Sequence, residues 1–83
     1  MILNIENYPE LTFFETVPSL ERPNPDSITF QYKRRYKGRT FYNQCEFSNT
    51  FIKTMPKVAQ KELDNFYLKS IETFEKEKVK IKP

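Results

Sequence analysis

The chain has 83 residues, enough for one domain and too few for two cores. It has no histidine, one cysteine and one glycine. That excludes an internal disulfide, a structural zinc site, a histidine general base and a glycine-rich phosphate loop.

The net charge of +3 hides an asymmetry. Residues 1–26 carry five acids against Arg22, a net of −4, and residues 27–53 carry six cations against Glu46, a net of +5. Residues 54–83 add seven lysines against five acids, a net of +2. A basic middle of this kind attracts nucleic acid or an acidic protein surface. Eight Phe and five Tyr let a short chain build a core from large rings. No stretch has the length and apolarity of a membrane span. The opening residues lack the basic and apolar segments of a secretory leader. With a single cysteine, a reducing cytoplasm is the expected compartment.

Residues 1–5 alternate weakly, and 1–9 reads as an arm or a short strand, broken at Asn7-Tyr8-Pro9. "ELTFFETV", residues 10–17, is rich in Thr, Phe and Val and reads as a strand, with Leu11, Phe13 and Val17 on one side. "PSLERPNPD", residues 18–26, holds three prolines and reads as a stiff loop.

Residues 27–36 and 39–48 flank Lys37-Gly38, a two-residue turn in which glycine supplies positive φ. Folding there sets Tyr36 against Arg39, Arg34 against Phe41 and Phe30 against Cys45. One face is then apolar, with Ile28, Phe30, Tyr32, Phe41, Cys45 and Phe47. The other carries Gln31, Lys33, Arg35, Tyr42, Gln44 and Glu46. A one-residue slip destroys this division, which fixes the register. Farther on, Ala59, Leu63, Phe66, Tyr67, Ser70, Ile71 and Phe74 form one apolar stripe at helical spacing. The spacing predicts a helix over 54–78, with Thr54 as cap and Pro56 in the first turn. Val79 and Ile81, in the tail 79–83, read as frayed helix or a short edge strand.

The expected fold is α+β: a three-stranded antiparallel sheet over 10–48, in β-β-β-α order, with one amphipathic C-terminal helix on one face. The helix would hide Phe13, Phe30, Phe47, Leu63, Phe66 and Ile71. Thr12, Phe14, Gln31, Lys33, Tyr42 and Gln44 would stay on an open face.

No catalytic chemistry is expected, and neither a metal nor a cofactor. Pro25-Asp26 resembles the start of a carboxylate-metal nuclease pattern, but no Asp or Glu lies two residues before any lysine to close it. Glu72 and Lys76 form an ordinary helix-surface pair. Cys45 reads as a small core hydrophobe.

The chemistry lies in "QYKRRYKGRT", residues 31–40. Lys33, Arg34, Arg35, Lys37 and Arg39 can neutralise phosphates, and Tyr36 and Tyr42 can stack on unpaired bases. A two-stranded ribbon also fits the major groove of duplex DNA. Arg34 and Arg39 sit on the core face, near a turn that the helix is expected to leave uncovered. The competing reading is a solvated tip whose charges deter edge-to-edge aggregation. Lys53, Lys57 and Lys61 gather at the predicted helix N-terminus, where the dipole disfavours cations, and would form a second phosphate site.

Three strands followed by a helix with a basic start is loosely similar, in element order over about residues 10–75, to two nucleic-acid folds. One is the back half of a double-stranded-RNA-binding domain. The other is the arm-binding domain at the front of phage-type integrases. The resemblance implies nucleic-acid binding. The chain lacks the first helix and the Gly-rich, His-bearing loop of the RNA-binding family, and any catalytic domain of the integrase type.

Two functions follow. One is a small non-enzymatic binding protein whose basic aromatic hairpin contacts nucleic acid or a nucleoprotein complex. The other is a phage or mobile-element inhibitor or adaptor, as anti-CRISPR proteins are, that grips an acidic protein surface. Tyr8, Phe14 and Tyr42 would then be its anchors. No membrane partner is expected. The chain would be a monomer or a homodimer paired through residues 1–5 or 79–82.

Overall fold

The computed structural model describes residues 3–80. Three strands, β1 (Leu11–Glu15), β2 (Ser27–Tyr36) and β3 (Arg39–Ser48), form an antiparallel sheet in the order β1-β2-β3. Two helices follow, α1 (Asn49–Thr54) and α2 (Pro56–Lys80). The class is α+β as expected, with the C-terminal helix packed on one face of the sheet.

Lys37 and Gly38 make the hairpin turn at φ of 50° and 78°. Positive φ at both central positions gives the type I′ pattern, whose twist matches that of the flanking strands. The turn sets Tyr36 opposite Arg39, and the register runs through Arg34–Phe41 and Phe30–Cys45 to Ser27–Ser48, as the apolar alternation requires. Phe30 and Tyr32, at most 1% exposed, would face water after a one-residue slip.

On α2, Ala59, Leu63, Ser70 and Phe74 are buried along one stripe, with Phe66, Tyr67 and Ile71 packed beside it. Burying a ring or branched chain such as Phe30 or Leu63 stabilises the fold by about 1.5–3 kcal/mol. Ser70 is fully buried and satisfied, because the Asn43 amide donates to its hydroxyl at 2.7 Å.

The structure departs from the sequence reading in several places and decides between its alternatives in others. β1 is shorter than residues 10–17, and Val17 is exposed beyond it. Phe13, expected under the helix, is 43% exposed. It lies on the edge strand, whereas α2 packs mainly over β2 and β3, and its ring lies 6.2 Å from that of Phe30.

The single helix over 54–78 is two helices. Ser48, not Thr54, is a cap: its hydroxyl accepts from the Phe51 amide at 3.0 Å and starts α1. Thr54 closes α1 and donates back to the Thr50 carbonyl at 2.7 Å. Pro56 has no N–H for another helical bond and its ring crowds the preceding turn, so the helix breaks at Met55. Pro56 then takes the first position of α2, where a missing donor is harmless. Lys53 consequently sits in the last turn of α1, where the carbonyl end of the dipole favours a cation.

At the other end of α2, Val79 is helical and exposed, not an edge strand; Ile81 lies outside the described residues. Residues 3–9 contain no strand. They form an arm docked on α2. Leu3 is buried, Asn4 and Gln60 exchange hydrogen bonds at 2.9 and 3.0 Å, and the Tyr8 and Tyr67 rings lie 4.8 Å apart. Among the described residues, neither segment expected to pair two copies, 1–5 or 79–82, is therefore a strand. No helix among them is long and apolar enough to cross a membrane.

Candidate functional site

Alternation along β2 sends neighbouring cations to opposite faces. Lys33 and Arg35 are exposed on the open face, cross-strand from Tyr42 and Thr40. The Lys33 ammonium lies 5.6 Å from the centre of the Tyr42 ring, which is 52% exposed. Lys37 is exposed in the turn, its ammonium 5.4 Å from the Tyr36 ring. Arg39 is exposed opposite Tyr36.

Arg34 differs. Its guanidinium stacks 4.3 Å from the centre of the Phe74 ring, and Nη1 donates to the Tyr32 hydroxyl at 3.3 Å. That hydrogen bond holds the guanidinium pKa above its ordinary value. The helix therefore does not stop short of the tip. Phe74 packs edge-on against Tyr36 and Phe41, and the Lys78 ammonium lies 5.2 Å from the Tyr36 ring.

Among the described residues, none of the five hairpin cations is ion-paired with a carboxylate. The far end of the open face is different. Arg22, from the proline-rich loop, makes two hydrogen bonds to Glu46 at 2.9 and 2.5 Å, and Ser27 adds a third at 2.9 Å. The arginine holds the Glu46 carboxyl below its usual range, and Glu46 in turn raises Arg22. The open face thus runs from a neutralised base to a basic tip. Exposed Thr12, Phe14 and Gln44 lie between, with Gln31 half-buried. The molecule measures 45 × 32 × 16 Å, the thickness of two layers. At the base of this face Ser27 and Thr29 are buried beside Thr16, and toward the tip Lys33, Arg35, Thr40 and Tyr42 are exposed.

The other expected site residues are dispersed. Lys57 and Lys61 are exposed one turn apart on α2, with Lys53 on α1. Phe14 and Tyr42 are exposed on the open face. Tyr8 is engaged internally: its hydroxyl donates to Asp64 at 3.3 Å. Burial pushes the Cys45 thiol up to about 11, so little thiolate forms near neutral pH. Among the described residues, no group of three or more His, Cys, Asp and Glu is placed to hold a metal.

The sequence reading missed Lys78 and Lys80, which α2 brings to the hairpin tip. The signal was geometric. β3 runs from tip to base and α2 runs back. Ten strand residues span about 33 Å and twenty-five helical residues about 37 Å, so the helix must end level with the turn.

Between them lies a cleft of about 290 Å³ lined by Tyr36, Phe41, Phe74 and the cations Arg39, Lys78 and Lys80, with Glu77. A larger hollow, about 440 Å³, lies at the base under the proline-rich loop; its lining includes Glu15 and Asp26 and no cation. No protein-family model matches the chain, and comparison with curated proteins and with solved structures gives no match.

Proposed function

We propose that the chain is a nucleic-acid-binding module that grips phosphates with the open face and tip of the β2–β3 hairpin. The observation that carries this is the set of unpaired cations. Lys33, Arg35, Lys37 and Arg39 are exposed within one hairpin, and none has a carboxylate partner among the described residues. An exposed cation with no internal partner keeps its full charge for an external anion, and its counterions are released when phosphate replaces them. Tyr42, beside Lys33, offers a ring face for an unpaired base. Arg34 holds the strand to α2 and positions its neighbours. Lys57 and Lys61 are a second, weaker phosphate contact.

A protein-binding inhibitor or adaptor is the second reading, favoured by one observation. Phe13 and Phe14 flank the edge strand on its two faces and are 43% and 39% exposed. Large rings left on a sheet edge suit a protein partner.

The test is fluorescence anisotropy with labelled double-stranded DNA, single-stranded DNA and double-stranded RNA, at about 50 and about 200 mM salt. The expected result is binding to at least one of the three that weakens steeply with salt. It should be lost in Lys33→Glu/Arg35→Glu/Lys37→Glu, a variant with unchanged circular dichroism. No binding at low salt, or full affinity in the triple variant, overturns the proposal and leaves the Phe13–Phe14 edge as the surface to pursue.

A further inference from the structure

We propose that the cleft between the hairpin tip and the last turns of α2 is a nucleotide subsite for single-stranded nucleic acid, taking one unpaired base among its rings and the adjoining phosphate on its cations. This rests on the nucleic-acid reading and narrows it to a substrate class.

Size is the first argument. At about 290 Å³ the cleft lies at the lower end of small-ligand sites, room for one nucleotide and not for a base pair. A base held in a duplex would first have to leave its stack.

Charge is the second. The lining holds three cations, Arg39, Lys78 and Lys80, against Glu77 alone. Lys80 reaches Glu77 at 3.5 Å and Lys78 reaches Glu75 at 3.6 Å, longer than a charge-assisted hydrogen bond. Arg39 has no carboxylate partner among the described residues. The Lys78 and Lys80 ammonium groups are loosely held and can turn to a phosphate.

The third argument is what covers the rings. Phe74 forms a buried floor, with Tyr36 and Phe41 set edge-on to it at 6.3 and 5.8 Å. Cations lie against this wall: Arg34 stacks on Phe74 at 4.3 Å, Lys37 and Lys78 approach Tyr36 at 5.4 and 5.2 Å, and Lys78 approaches Phe74 at 5.8 Å. A lysine that swings to a phosphate uncovers a face of the half-buried Tyr36 ring. The same movement therefore prepares the contacts for both parts of a nucleotide.

The test compares a short oligothymidylate with a duplex of equal length, with thymidine monophosphate added separately while the ring protons are followed by NMR. The 83-residue chain should prefer the single strand by about tenfold, one good stacking contact. Thymidine monophosphate should shift the Tyr36 and Phe41 signals. Lys78→Gln/Lys80→Gln, at an exposed helix end, should lose most of that preference while still binding duplex. Phe41→Leu keeps apolar volume and removes the ring, so it should do the same. Equal affinity for the two polymers, or a preference that survives both variants, overturns the subsite and leaves the hairpin grip standing. No binding of either polymer overturns both.

Discussion

Arg34 and Arg35 are neighbours in the chain and belong to different parts of the molecule. Arg34 faces α2, stacked on Phe74 and bonded to Tyr32. Arg35 faces water across from Thr40, with no carboxylate partner among the described residues. The contrast extends along the whole hairpin. Its helix-facing side carries Phe30 and Tyr32 in a closed core, and its open side carries Lys33, Arg35 and Tyr42 in solvent. A run of cations in sequence is thus not a cluster in space. Alternation divides it between a structural and a binding role, and only a register fixed by the turn says which cation goes where.

The largest effect that would test this division is in the core. Phe30→Ala should cost about 3–5 kcal/mol in a thermal or urea melt, enough to unfold much of so small a domain. Tyr42→Ala, on the same hairpin but the open side, should stay within about 0.5 kcal/mol. A comparable loss at Tyr42 would mean that the open face is a second packed layer.

A smaller, sharper test is the arginine pair. Arg34→Ala should cost about 0.5–1 kcal/mol of stability through the lost ring contact. Arg35→Ala should leave stability alone and reduce the salt dependence of nucleic-acid binding by roughly one phosphate contact. The opposite assignment would reverse the two faces.

The smallest effect is at the base of the open face. Arg22 depresses the Glu46 pKa, so the pair contributes stability above the unfolded carboxylate value and loses it as pH falls through the folded one. Both groups are exposed, so the contribution is small and screened by salt. Melts down through the carboxylate range should show a slightly shallower acid loss in Glu46→Gln than in the parent. Identical profiles would remove the neutralised base from the comparison.

The hairpin was legible because three signals agreed there: one glycine at the turn, a strict two-residue alternation, and apolar partners across the register. The α2 stripe was legible for the same reason at helical spacing. Phe13 was misplaced because a strand pattern marks a face but not how far a helix extends across the sheet. The break at Met55 was missed because Pro56 suits a helix start, and nothing local shows that Ser48 has already begun another. The tip cleft was invisible as a motif. Tyr36, Phe41, Phe74 and Lys78 meet only once three elements are aligned end to end.

The most direct test of the account is amide chemical-shift mapping of the labelled protein against a short oligonucleotide. The account predicts that the largest shifts fall at Lys33, Arg35, Lys37, Arg39 and Tyr42, joined by Tyr36 and Phe41 when the oligonucleotide is single-stranded, while Arg22 and Glu46 stay still. Largest shifts at Phe13 and Phe14, or none anywhere on the hairpin, would contradict it.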